Sequence, residues 1–200
     1  MRLANYVYIP NVLTKEECDQ IIEEGQNNLS SATIYPKECT SSDLAKEDKD
    51  SRKTNVGFFR SGSSVDPALK KAIDVFGRVS FSCYGICLKE IENPQYAEYE
   101  KGMFYGWHTD SGMELDFPVI RDMSASLILN NKNDYTGGSL QMVVPSCISK
   151  DNIFTPEDAK NQDQGTLIVF PSSMLHQVTP VLSGVRKSLV IWACSDVKPI

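Results

Sequence analysis

Beyond about Gln95 the chain breaks into short apolar runs: AEYEKGMFYGWHTD, MSASLILNN, GGSLQMVV, GTLIVFPSS, LHQVTPVL and RKSLVIWAC. Gly, Asn, Asp and Pro punctuate them. Val, Ile, Leu, Tyr and Phe in several short runs at this spacing predict a β-sandwich or barrel. The 200 residues are enough for one domain with a substantial core. No internal repeat, low-complexity tract or break in composition marks a second domain. We therefore read 1–200 as a single α+β domain, with 1–94 supplying helical support and a loop, and 95–200 an antiparallel β core.

The first half differs in texture. YVYIPNVL reads as a strand, and Thr14 with Glu17 forms a capping box that opens a helix from about Lys15 to Gln26. Cys18, Ile21 and Ile22 share one face of that helix, which predicts packing against another layer. From Asn27 to Lys53 the chain is polar and mixed in charge, and two readings stay open: a solvated surface excursion, or a lid over a substrate. TNVGFF resembles a strand. DPALKKAIDVFGRVSFSCYGI then reads as a second helix, with Asp66 as N-cap and Pro67 at N1.

A net charge of -6 gives no general attraction for nucleic acid or anionic membrane, so small molecules, peptides or proteins are the expected partners. No run approaches a membrane span, and MRLANYVYIPNVL lacks the pattern of a signal peptide. Six cysteines without a secretory signal point to free thiols and a reducing, cytoplasmic setting. Cys83 and Cys87 have no nearby second pair to complete a zinc site. Oligomeric state is left open.

The chain has only two histidines. On a strand, His108 and Asp110 in YGWHTDSGM point to the same side, so an imidazole and a carboxylate can converge on one ion, with Thr109 turned away. On its own this pair is weak, because a histidine beside a turn needs no purpose. His176, in FPSSMLHQVTP, completes a 2-His-1-carboxylate set that holds Fe(II) and leaves positions open. Arg186 begins a strongly apolar strand, where a guanidinium needs a partner; a bound carboxylate is one, and an exposed sheet edge is the alternative. Ser188 faces the same way. Sheets about 10 Å apart would leave room for a short dicarboxylate between an ion on one and Arg186 on the other.

Three motifs occur in order: Tyr99-x-x-Gly102-x-x-Tyr105-x-x-His108-x-Asp110, then Tyr135-x-Gly137-Gly138-x-Leu140, then Pro171-Ser172-Ser173-x-Leu175-His176-x-Val178-x-Pro180-Val181-x-x-Gly184-x-Arg186. Together they resemble the prolyl 4-hydroxylase type of Fe(II)/2-oxoglutarate-dependent dioxygenases, most of all the bacterial PKHD-type hydroxylases, over roughly Tyr99 to Trp192. The resemblance implies a double-stranded β-helix (a cupin-like jelly roll) with the N-terminal helices outside. It implies His108, Asp110 and His176 as iron ligands, and Arg186 on the distal carboxylate of 2-oxoglutarate, with Ser188 as a helper. Tyr99 is either a cosubstrate contact or core filling. Phe104, Tyr105 and Trp107 either line the mouth or pack, Trp192 packs beneath the site, and Gly137-Gly138 permits a close turn. Fe(II), 2-oxoglutarate and O2 are the implied cofactor and cosubstrates, with ascorbate as a further candidate. Ile128 stands where some animal members carry a tyrosine, so one donor to the cosubstrate is missing. The implied reaction is hydroxylation of a prolyl or other residue in a protein or peptide. A free amino acid or other small metabolite, a cupin-like binder without turnover, and a purely structural sandwich are the rivals.

Overall fold

The computed structural model describes residues 5–32, 51–111, 121–143, 153–154 and 163–195. The first half contains β1 (Val7–Ile9), α1 (Lys15–Gln26), β2 (Ser30–Ser31), β3 (Arg52–Lys53), β4 (Asn55–Phe58), α2 (Asp66–Tyr84) and β5 (Glu90–Ile91). There follow β6 (Gln95–Tyr99), β7 (Phe104–His108), β8 (Met123–Ile128), β9 (Tyr135–Gly137), β10 (Leu140–Val143) and β11 (Ile153–Phe154). The last strands are β12 (Leu167–Pro171), β13 (His176–Val178), β14 (Val181–Gly184) and β15 (Arg186–Cys194).

The major sheet runs β1-β12-β8-β15-β6-β4-β2, with β5 also on β15, and the minor sheet runs β11-β10-β13-β7-β3; a β14-β9 ribbon stands apart. Among the described residues every pairing is antiparallel. Period-two alternation divides the major sheet into two faces. Leu127, Leu167, Leu189 and Ile191 point outward and pack with Ile21 of α1 and Phe76 of α2. Ile128, Ile168 and Phe170 point inward, toward Leu140, Met142 and Val178 of the minor sheet. The result is an α+β jelly roll with both helices on its outer face. No described helix is long and apolar enough to cross a membrane.

Helix α1 has the expected bounds: Thr14 accepts from the Glu17 N–H, and the Glu17 carboxylate accepts from the Thr14 N–H at 2.7 Å. Its glycine, Gly25, lies so close to the Tyr96 ring that a Cβ there would come within 2.5 Å. Helix α2 corrects one expectation. Val65 is the N-cap and Asp66 is already helical, because the Asp66 carboxylate turns back to accept from the Gly62 N–H at 2.8 Å. The Asn27–Lys53 segment is also not loop throughout. Ser30–Ser31 and Arg52–Lys53 are edge strands, held by backbone pairing to β4 and β7 that needs no apolar side chains. The lid reading falls on residues 33–50, which lie outside the described residues.

Candidate metal and cosubstrate site

His108 ends β7 and His176 begins β13, and the two are directly paired in register. Asp110 follows His108 by two residues, and its N–H donates to the Ser172 carbonyl at 2.9 Å, which brings the carboxylate back over the sheet. His108 Nε2 lies 3.7 Å from Asp110 Oδ1, and His176 Nε2 lies 3.6 Å from Oδ2. One ligand atom from each residue lies within 4.8 Å of the others, close enough for one ion to touch all three. Thr109 between them is exposed, turned away as expected.

The hydrogen bonds around these groups suit a metal. His108 Nδ1 meets the Gly106 carbonyl at 2.8 Å, and His176 Nδ1 meets the Met174 carbonyl at 2.8 Å. A carbonyl only accepts, so both Nδ1 atoms carry the proton and both Nε2 lone pairs face the site. The Ser124 hydroxyl donates to Asp110 Oδ2 at 2.7 Å, and Ser172 Oγ lies 2.8 Å behind it. Burial raises the Asp110 pKa, but His176 and His108, with Ser124 and Trp192, more than offset this and hold it below the ordinary carboxylate value. Burial, followed by the neighbouring His176, pushes His108 down to about 4, so its imidazole is neutral and ready to ligate at ordinary pH. The donor set, two neutral imidazoles and one carboxylate with three adjacent positions left open, fits non-haem Fe(II).

Arg186 lies across the gap on β15, only 2% exposed, and donates to Ser188 Oγ at 2.9 Å. Tyr99, its partner in register on β6, places its ring 5.5 Å from the guanidinium. Gly138 packs against the same side chain: a Cβ there would meet Arg186 Cδ at 3.1 Å. The triad, Arg186, Ser188 and Tyr99 all line one cavity between the sheets. Trp192 lines it as well and is largely buried, whereas Trp107 is 40% exposed.

A model of the 2OG-Fe(II) oxygenase superfamily matches residues 94–194. A PKHD-type hydroxylase of Shewanella oneidensis is 31% identical over 199 residues, covering 96% of this chain and 79% of that protein. This chain belongs to the 2OG-Fe(II) oxygenase superfamily. A second PKHD-type hydroxylase, from Cupriavidus metallidurans, is 30% identical with the same coverage. Among solved structures, a Pseudomonas putida prolyl-4-hydroxylase superposes with a TM-score of 0.71 at 20% identity, covering 96% of this chain and 93% of that one. A Trichoplax adhaerens prolyl hydroxylase, solved with a hypoxia inducible factor peptide, gives 0.71 at 14% identity, covering 96% and 84%. At those identities the likeness is one of fold. The oxygenase is thus an Fe(II)/2-oxoglutarate-dependent hydroxylase closely related to the bacterial PKHD-type enzymes.

The structure adds residues to this oxygenase site that sequence reasoning missed. Arg52, on edge strand β3, places its guanidinium 4.4 Å from the Tyr105 ring centroid, and Tyr105 stacks on His108 at 3.5 Å. Gln95 accepts from Arg52 at 3.1 Å. Gln95 shares its strand face with Tyr99, a period-two relation that was readable. Arg121 makes a two-pronged contact with Glu92, at 2.5 and 2.7 Å, and lies over Trp192, which lines the cavity.

Proposed function

We propose that the enzyme hydroxylates an unactivated C–H of a prolyl or other residue in a protein or peptide, using one oxygenase unit that spans the chain. The arrangement that carries this reading is a metal triad on one sheet facing a buried arginine on the other. Bound Fe(II) supplies the oxygen activation, coupled to decarboxylation of 2-oxoglutarate to succinate, that such a hydroxylation needs. The chain's residues do the rest. His108 and His176 present Nε2 because their Nδ1 protons are committed to backbone carbonyls. Ser124 holds the Asp110 carboxylate in place.

Arg186 grips the distal carboxylate of 2-oxoglutarate through charge-assisted hydrogen bonds, and Ser188 orients that guanidinium. Tyr99 walls the same end of the cavity. Phe170, Val190 and Trp192 keep the interior dry, which strengthens every polar contact within it. The Trichoplax adhaerens prolyl hydroxylase of like fold, solved with a peptide, supports a protein or peptide substrate. The free thiols of Cys18, Cys83, Cys87 and Cys194 support a reducing, cytoplasmic setting. Ascorbate belongs to the same reading as an external reductant.

The test is anaerobic addition of Fe(II) and 2-oxoglutarate to the protein, followed by visible spectroscopy. A charge-transfer band from the chelated keto acid is expected. Asp110→Ala should abolish it, and Arg186→Met should raise the 2-oxoglutarate concentration needed to form it while leaving Mn(II) binding intact. Absence of the band in folded, metal-loaded protein would overturn the reading.

A further inference from the structure

The cavity holds two arginines, and 2-oxoglutarate accounts for only one. Arg186 occupies the end of β15 beside Tyr99, whereas Gln95, the partner of Arg52, pairs with Val190, four residues further along the same strand. Arg52 therefore stands away from Arg186, toward the Trp192 end of the strand, where Ser124 and Asp110 lie. The backbone fixes it there. The Gly106 N–H donates to the Ser51 carbonyl at 2.8 Å, and a Cβ at Gly106 would sit 3.2 Å from that oxygen, so β3 lies hard against β7. This places Arg52 opposite Tyr105 in register, with its charge over the ring.

Arg52 and Arg121 are treated differently. Arg121 is neutralised by the Glu92 carboxylate. Among the described residues Arg52 meets no carboxylate, only the neutral Gln95 amide and the Tyr105 ring, and its Nε–H is shut off from solvent with no acceptor among them. A buried donor on a charged group is costly to leave unmet, and a carboxylate entering the cavity is the acceptor that a guanidinium matches best.

Resting on the hydroxylase reading above, we infer that Arg52 selects a substrate bearing a carboxylate close to the C–H that is hydroxylated. That carboxylate is either the α-carboxylate of a small acid or an acidic side chain or C-terminus in a peptide. Arg52 and Gln95 form the reading edge, and Tyr105 keeps the guanidinium flat.

Matched probes test this: L-proline against L-prolinamide, and blocked Glu-Pro-Gly against Gln-Pro-Gly peptides. Substrate-stimulated succinate formation and oxygen incorporation by mass spectrometry are followed. Within at least one pair the acid member should be favoured, and Arg52→Gln should reduce its kcat/KM roughly ten- to a hundredfold with the KM for 2-oxoglutarate unchanged. The pair that responds identifies the source of the carboxylate. In protein loaded with Zn(II) and N-oxalylglycine, the Arg52 Nε–H resonance should shift with that acid and not with its amide. Equal use of acid and amide, no response to either acid, a preference that survives Arg52→Gln, or an effect of that variant on 2-oxoglutarate would each overturn the inference. Uncoupled succinate formation that depends on Asp110 reports separately on the hydroxylase reading, so the two failures are distinguishable.

Discussion

Replacing Ser124 by alanine should weaken metal binding without touching a ligand. The Ser124 hydroxyl has one proton, and Asp110 Oδ2 at 2.7 Å, being a carboxylate oxygen, takes it; Ser172 at 2.8 Å must then donate to Ser124. Ser124 and Ser172 are both fully buried, so no water replaces a lost partner. A hydrogen bond to a charged acceptor is worth about 1.5–3 kcal/mol, and about 1.4 kcal/mol is a factor of ten. The donor serves Asp110 with or without an ion, so only its orienting share reaches the metal. Ser124→Ala should therefore weaken Mn(II) binding about tenfold, with roughly a hundredfold as the ceiling. Ser172→Ala removes a neutral bond one step further out and keeps the carbonyl that anchors Asp110, so its effect should be smaller, roughly fivefold. Titration of free Mn(II) by electron paramagnetic resonance, with circular dichroism to verify folding, gives both numbers. A folded Ser124→Ala protein within about twofold of wild type, or a larger effect at Ser172, would refute the reasoning.

Two further outcomes follow from the same geometry. In metal-free protein the folded-state His108 pKa is about 4, below its ordinary 6.5, so the unfolded chain binds the extra proton in that window. Stability present above 6.5 should be lost as pH falls toward 4, read as a falling urea midpoint, and His108→Asn should flatten that slope. Gly138 has φ of 62°, and a Cβ there would lie 2.9 Å from Val181 Cγ2 and 3.1 Å from Arg186 Cδ. Gly138→Ala should cost about 1–3 kcal/mol in thermal or urea unfolding and raise the KM for 2-oxoglutarate, while Mn(II) affinity holds.

The legible parts of the molecule are those governed by local rules. The α1 capping box, the shared face of Arg186 and Ser188 on β15, and the His-x-Asp spacing depend on neighbours in sequence, and each was found where the pattern placed it. The pairing of His108 with His176 rests on motif order and needed the sheet to bring them together. Asp66 was misassigned as a cap because its carboxylate chose Gly62 over the helix. Arg52 carried no signal at all: it sits in a polar stretch, on a two-residue strand, and gains its meaning from Tyr105 and Gln95, each more than forty positions away. Ser124 and Ser172 look like ordinary strand and turn residues until the fold stacks them behind Asp110.

Arg52, Tyr105, His108, His176 and Phe170 form one continuous pile, with ring centroids 3.5 Å apart for Tyr105 and His108, 4.1 Å for the two imidazoles and 4.9 Å for His176 and Phe170. One end is the Arg52 cation, and the other is anchored in the core. Each imidazole is packed against the ring on either side of it, so the two stand as one wall. A group docking on Arg52 leans on the first tile of that wall. A ligand held by Arg52 would therefore be in side-chain contact, through the Tyr105 ring, with His108.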